Sequence, residues 1–233
     1  MDIHEKQKLV TMLDTSWKPQ SEHYKERIKD LVTGTTVILD IGCGRTDFMA
    51  DVFKEAKHVI GQDPDESAIL ENPCIDQKII GDFESLDQLE DGSIDLIISA
   101  WTLEHLEHPE AMFAQTHRLL KVGGSLIALT PNKNSLITYV SRIIPNKFQA
   151  KLVKQFWGRE EHNTYPAHYL ANSITSIKKL THLFSLTIHK ISLLKDPTYY
   201  MLHPSLAKPV HALHKHLIPR KMSEGLLVHI KKL

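Results

Sequence analysis

Five short apolar runs punctuate the first half of the chain, at 37–41, 58–63, 78–83, 93–100 and 125–130. Each is nearly continuous rather than alternating, the pattern of strands buried on both faces of a parallel sheet. Helical patterns separate them. One opens after the glycines at 42 and 44, with Thr46 or Asp47 as its N-cap. Another runs from Pro109, suited to a first helical turn, to Leu120, and 121–124 stops it in a tight turn. Strand–helix alternation predicts an α/β, doubly wound sheet whose right-handed crossovers leave the strands' carboxyl ends as the ligand edge. Before it, residues 1–34 read as one or two helices, Ser21 preceding an amphipathic set of Tyr24, Ile28, Leu31 and Val32.

Beyond Asn132 the texture changes. Leu136, Tyr139, Val140, Ile143 and Ile144 predict a helix ended by Pro145. A second helix is expected over 147–157, a polar loop over 158–168 and a helix over 172–180. Strands are expected at 183–194 and 226–231, with an insert at 196–223 between them. In the insert, Leu202, Leu206, Val210, Leu213 and Leu217 form one apolar stripe beside Lys208, His211, His214, Lys215 and His216. The leading expectation is a helix packed on the sheet or lid; an oligomer contact and a membrane-surface helix over 202–218 are the alternatives. Pro204 and Pro219 suit its ends, and Pro209 requires a first turn or a kink.

The stretch Val37–Ile41 followed by Gly42, Cys43 and Gly44 carries the most chemistry. Glycines there allow a sharp turn and a ligand against the backbone. A dinucleotide fingerprint wants glycine or alanine at position 47, occupied here by aspartate, and a phosphate loop wants Lys-Ser or Lys-Thr, which is absent. Asp40, two residues before the first glycine, points to a ligand with a positive group such as an amine or sulfonium. Asp63, at the end of the second run, stands about 20 residues on, the interval of a ribose-binding carboxylate.

These residues resemble the first motif of the Rossmann-like, class I S-adenosylmethionine-dependent methyltransferases, acid-x-Gly-x-Gly-x-Gly, with Thr46 in the place of the third glycine. Leu-Glu-His at 103–105, Leu-Leu-Lys-x-Gly-Gly at 119–124 and Thr-Pro-Asn at 130–132 resemble the subfamily containing ubiquinone-pathway and other small-molecule methyltransferases. The resemblance is dense over 35–132. It implies a seven-stranded, mostly parallel sheet with an antiparallel last strand, a helical lid and a C-terminal helical insert. It implies S-adenosylmethionine as cofactor, held by Asp40, Gly42, Cys43, Gly44, Asp63, Pro64, Asp82, Phe83 and Ala100. Asp82 would lie near the adenine amino group and Phe83 near the ring. The helix after the glycine turn is expected to begin slightly displaced.

A hydroxyl acceptor needs a base that titrates near neutrality, and His105 has the position and residue type for it, with Glu104 second. Trp101, Asn132 and Tyr165 are the candidates to bound the acceptor. The expected reaction is O-methylation of a small-molecule or glycan- or lipid-linked acceptor by in-line transfer. A noncatalytic cofactor-binding protein and, behind it, an NAD-dependent oxidoreductase are the alternatives.

The remaining features narrow the class. The 233 residues fit one domain, divided into N-terminal helices at 1–34, cofactor core at 35–132, lid at 133–182 and final strand pair at 183–233. With 28 basic and 28 acidic residues, no overall basic field recruits nucleic acid. Cys43 and Cys74, the only cysteines, argue against a disulfide framework and suit a reducing cytosol. No signal-peptide core or transmembrane run is present, so the expected setting is cytoplasmic, as monomer or homodimer. The histidines at 162, 168, 211 and 214 lack a completing ligand set, and no metal is expected.

Overall fold

The computed structural model describes residues 1–45, 47–143 and 165–233. Thr46, Pro145, the helix expected over 147–157 and the loop's first part lie outside the described residues. Helices α1 (Ile3–Leu13) and α2 (Gln20–Lys29) lead into β1 (Val37–Ile41), α3 (Ala50–Phe53), β2 (His58–Asp63), α4 (Glu66–Glu71), β3 (Gln77–Ile80) and β4 (Ile94–Ala100). Then follow α5 (Pro109–Leu119), β5 (Leu120–Pro131), α6 (Leu136–Ile143), α7 (Ile174–Leu183), β6 (Leu186–Leu194), α8 (Ala207–Leu217) and β7 (Gly225–Lys232).

The strands form one seven-stranded sheet in the order β3-β2-β1-β4-β5-β7-β6. Pairs from β3 through β5 are parallel, and β7 runs antiparallel between β5 and β6. Period-2 alternation sends successive side chains to opposite faces. Leu39, Ile97 and Leu126 join Met112 and Phe113 of α5 and Ile177 of α7 in one core layer. Ile38, Ile98 and Ile127 join Tyr24 and Ile28 of α2 and Val52 of α3 in the other. Both faces are covered, which is why the runs read as continuous. A fully buried phenylalanine or isoleucine in such a layer contributes about 1.5–3 kcal/mol.

Several boundaries differ from expectation for local reasons. The helix after the glycine turn starts at Ala50, with Met49 as its uncapped entry, so Asp47 is not its N-cap. The third run ends at Ile80: Gly81 turns at φ +123°, and residues Phe83–Gln88 wind into a 3-10 turn. The turn expected at 121–124 is a bulge within β5, because Ile94 pairs with Leu120 while Leu96 pairs with Ser125. Helix α7 starts at Ile174 behind a reciprocal Ser173–Ser176 cap and runs to Leu183; Ser185, at φ 51°, separates it from β6.

The insert contains α8 between short 3-10 turns, Pro197–Tyr200 and Pro204–Leu206 before it and Arg220–Met222 after it. Helix α8 packs on α1, where Ala207 meets Val10 and Met201 and half-buried Val210 joins them. The expected packing of the leucine stripe is corrected: Leu202, Leu206, Leu213 and Leu217 are exposed, the last two at 60% and 68%. Polar contacts set the roll of the helix instead. Buried His214 meets both carboxylate oxygens of buried Glu224 at 3.1 Å. The ammonium of Lys195 donates to the carbonyls of His214, Lys215 and Ile218 at the helix end. No described helix is long and apolar enough to cross a membrane.

Candidate active site

The glycine turn leaves β1 in the middle of the sheet, with β2 on one side and β4 on the other. Gly42 adopts φ +71°, and a Cβ on it would lie 2.2 Å from Oγ1 of Thr102, so both conformation and space require glycine. The Gly42 and Cys43 amides donate to the Gln62 carbonyl at 2.8 and 3.2 Å. The Gly44 amide donates to Oδ2 of Asp63 at 2.8 Å, and the Asp65 amide donates to Oδ1 at 2.9 Å. Each carboxylate oxygen of Asp63 keeps acceptor capacity beyond these bonds. Burial raises the Asp63 pKa above the usual carboxylate range, opposed by those two amides.

A cavity of about 130 Å³ opens against the turn, lined by Tyr24, Asp40, Gly42, Gly44, Phe48 and Trp101, among others. Asp40 is half-buried and opens onto this cavity. Burial, and secondarily the charge of Asp63, push its carboxyl up to about 7. No hydrogen bond from the described residues counters that rise. An acid so placed favours a cationic ligand group, because a cation offsets the desolvation of the carboxylate. Phe48 lies between Tyr24 and Trp101, with ring centroids 6.2 and 6.0 Å away. Trp101 is held at φ 55°, a conformation costing a bulky residue about 1–3 kcal/mol, as strained residues at ligand sites do. The Cys43 thiol, raised far by burial and by Asp40 and Asp63, stays protonated and is no nucleophile. A larger cleft of about 520 Å³, between α2, β6 and the α1–α2 connection, is lined mainly by polar and charged residues and does not reach the turn.

A strap formed by 165–169 crosses the edge beyond β4. The His168 and Tyr169 amides donate to the Glu104 carbonyl at 2.7 and 3.1 Å. The Tyr165 hydroxyl donates to Oδ2 of Asp65 at 2.9 Å, and its ring lies edge-on to His105 with centroids 5.9 Å apart. Nδ1 of His105 lies 2.8 Å from the Pro166 carbonyl. A carbonyl only accepts, so Nδ1 carries the proton and Nε2 is the basic nitrogen.

The other expected site residues are placed variously. Glu104 is buried; one carboxylate oxygen accepts from the Thr130 hydroxyl at 3.0 Å, and the other, Oε1, lies 3.9 Å from Nε2 of His105. Asn132, expected at the acceptor, is 2% exposed; its amide donates to the carbonyls of Lys221 and Ser223 and accepts from the Asn134 amide. Asp82 is exposed beyond β3, whereas Phe83 turns half-buried against the core layer. Pro64 is exposed and Ala100 half-buried in the cavity wall. Sequence reading missed Asn72, whose buried amide donates to the carbonyls of Cys43 and Gly44 at 3.3 and 3.0 Å and clamps the turn. It missed Thr102 under Gly42 as well.

A strand–glycine-turn–helix edge with desolvated acids at successive strand ends defines a nucleotide-type cofactor site on a doubly wound sheet. Residues 39–128 match the family model of a methyltransferase domain. The chain is 31% identical over 124 residues, 50% of its length and 46% of the relative's, to a probable S-adenosylmethionine-dependent methyltransferase of Mycolicibacterium smegmatis. It is 27% identical over 170 residues to the ubiquinone biosynthesis O-methyltransferase of Paraburkholderia xenovorans, covering 65% of this chain and 72% of that one. Its fold matches an S-adenosylmethionine dependent methyltransferase from Mesorhizobium loti at a TM-score of 0.62 and 17% identity, covering 91% of this chain and 98% of that one. The matched stretches span less than half the length of three curated relatives. These likenesses, with the methyltransferase-domain match over residues 39–128, support a class I, Rossmann-like S-adenosylmethionine-dependent methyltransferase. S-adenosylmethionine is the cofactor of that class, and the desolvated Asp40 and the Cβ-free cradle of Gly42 fit a cationic ligand lying against the backbone.

Proposed function

We propose that this chain transfers a methyl group from S-adenosylmethionine to a small-molecule acceptor, at oxygen. The cofactor supplies an activated methyl on a sulfonium, so no covalent enzyme intermediate is required. Asp40 meets its positive end, the Gly42–Gly44 backbone cradles it, and Asp63 takes the ribose hydroxyls with its remaining acceptor capacity. Asp82 reaches the adenine from the exposed edge. The 165–169 strap covers the mouth next to His105, and Trp101 and Tyr165 bound the acceptor.

The observation that carries the reading is the tie from His105 Nδ1 to the Pro166 carbonyl. It fixes the tautomer, so that Nε2 would accept the hydroxyl proton of the acceptor as its oxygen takes the methyl carbon, the carbon–sulfur bond breaking to leave the neutral thioether S-adenosylhomocysteine. The small cavity also suits a noncatalytic cofactor-binding protein, and turnover decides between the two. With methyl-labelled cofactor and a panel of hydroxyl, amine and carbon acceptors, the expected product is a methyl ether. Loss of a positioned base lowers kcat by about 10²–10⁴-fold, so His105→Gln is expected to do so with cofactor affinity unchanged. Exclusive N- or C-methylation contradicts the oxygen assignment. Full turnover by His105→Gln removes the base, and cofactor binding without transfer to any acceptor favours the noncatalytic reading.

A further inference from the structure

Residues 197–223 contain no aspartate or glutamate, although the whole chain is charge-balanced. They carry Lys208, Lys215, Arg220 and Lys221, with histidines at 203, 211, 214 and 216. Lys215 is paired with Asp14 at 3.0 Å, whereas Lys208, Arg220 and Lys221 are exposed and have no acidic partner among the described residues. On α8, Leu206, Leu213 and Leu217 are separated by seven and four residues and so share one side of the helix. All three are exposed, as is Leu202 between the two preceding turns. His214 and Lys195 hold the roll that leaves them there. Leu194 and Pro131 both pair with Gly225, so the insert rises from the same sheet edge as the glycine turn.

We propose that this face of α8, with Leu202 before it, docks on an anionic membrane surface. The leucines enter the boundary between headgroups and acyl chains, and Arg220 and Lys221, in the turn just past the leucine-bearing end of the helix, meet lipid phosphates. A second copy of the chain is the poorer occupant. A two-fold contact would set these cations against themselves, with no acid in 197–223 to offset them.

The test is co-sedimentation of the full chain with phosphatidylcholine vesicles, with and without phosphatidylserine, beside velocity sedimentation of the protein alone. Binding is expected to be at least about tenfold tighter to the serine-containing vesicles and to weaken with salt. Leu213→Ser with Leu217→Ser, both at exposed positions, is expected to lower it about tenfold or more. Arg220→Glu with Lys221→Glu, which keeps the leucines, is expected to abolish the preference for anionic lipid. Equal or absent binding to both vesicles overturns the proposal, as does binding indifferent to either variant. A dimer dissolved by the leucine variant, without vesicle binding, assigns the face to a second copy instead. The readout needs neither cofactor nor turnover, so its failure leaves the methyl-transfer reading untouched.

Discussion

Asp40 is the residue on which cofactor chemistry and fold meet. It stands one residue before the end of β1, faces a cavity and has a carboxyl pushed up to about 7 by burial and by Asp63. Below that pH the free protein holds Asp40 mostly neutral, and a cationic ligand gains its partner only by driving off the proton. Affinity for S-adenosylmethionine should therefore rise with pH, by up to about tenfold per unit below 7, and level off above it. Asp40→Asn should weaken binding and flatten that dependence, as read by calorimetry at several pH values; a flat wild-type profile removes Asp40 from the cation-binding role. The gathering of Asp40, Gly42, Gly44 and Asp63 about one turn was legible because residue type beside a strand end suffices for it. Asn72 and Thr102 were not, because each acts on a turn about 30 or 60 residues away, and no local pattern marks that approach.

At the scale of elements, periodicity located strands better than it located helix ends and helix faces. Strands β1 and β2 lie where their apolar runs lie, because both faces of the sheet are covered. The end of β3 and the bulge in β5 depend on Gly81 and Gly123, whose positive φ becomes evident only in the folded backbone. Helix α8 was the clearest reversal, since the spacing of its leucines was legible but the side buried was not. Lys195, lying outside the helix, supplies the decisive contact by donating to three carbonyls at its carboxyl end. Lys195→Met keeps the stem and removes those bonds. It should lower stability to chemical denaturation by about 1–3 kcal/mol, the scale of charge-assisted hydrogen bonds left unmade. An unchanged midpoint would mean that the α1 contact and the His214–Glu224 pair hold the helix without Lys195.

For the molecule as a whole, alternation of buried strands and helices dictates the doubly wound sheet, and that sheet gathers Asp40, Asp63, Asp82 and Ala100 at one edge. That much followed from pattern and motif. The strap did not, because Tyr165, His105 and Asp65 meet across about 60 and 100 residues of chain. The account rests centrally on the glycine turn binding S-adenosylmethionine. Its most direct test is calorimetric titration of the intact protein with S-adenosylmethionine, S-adenosylhomocysteine and NAD, repeated on Asp63→Ala. Saturable binding of the first two, strong weakening in the variant and no heat from NAD are the predicted results. Binding of NAD alone, or equal affinity of wild type and variant for S-adenosylmethionine, would contradict the account.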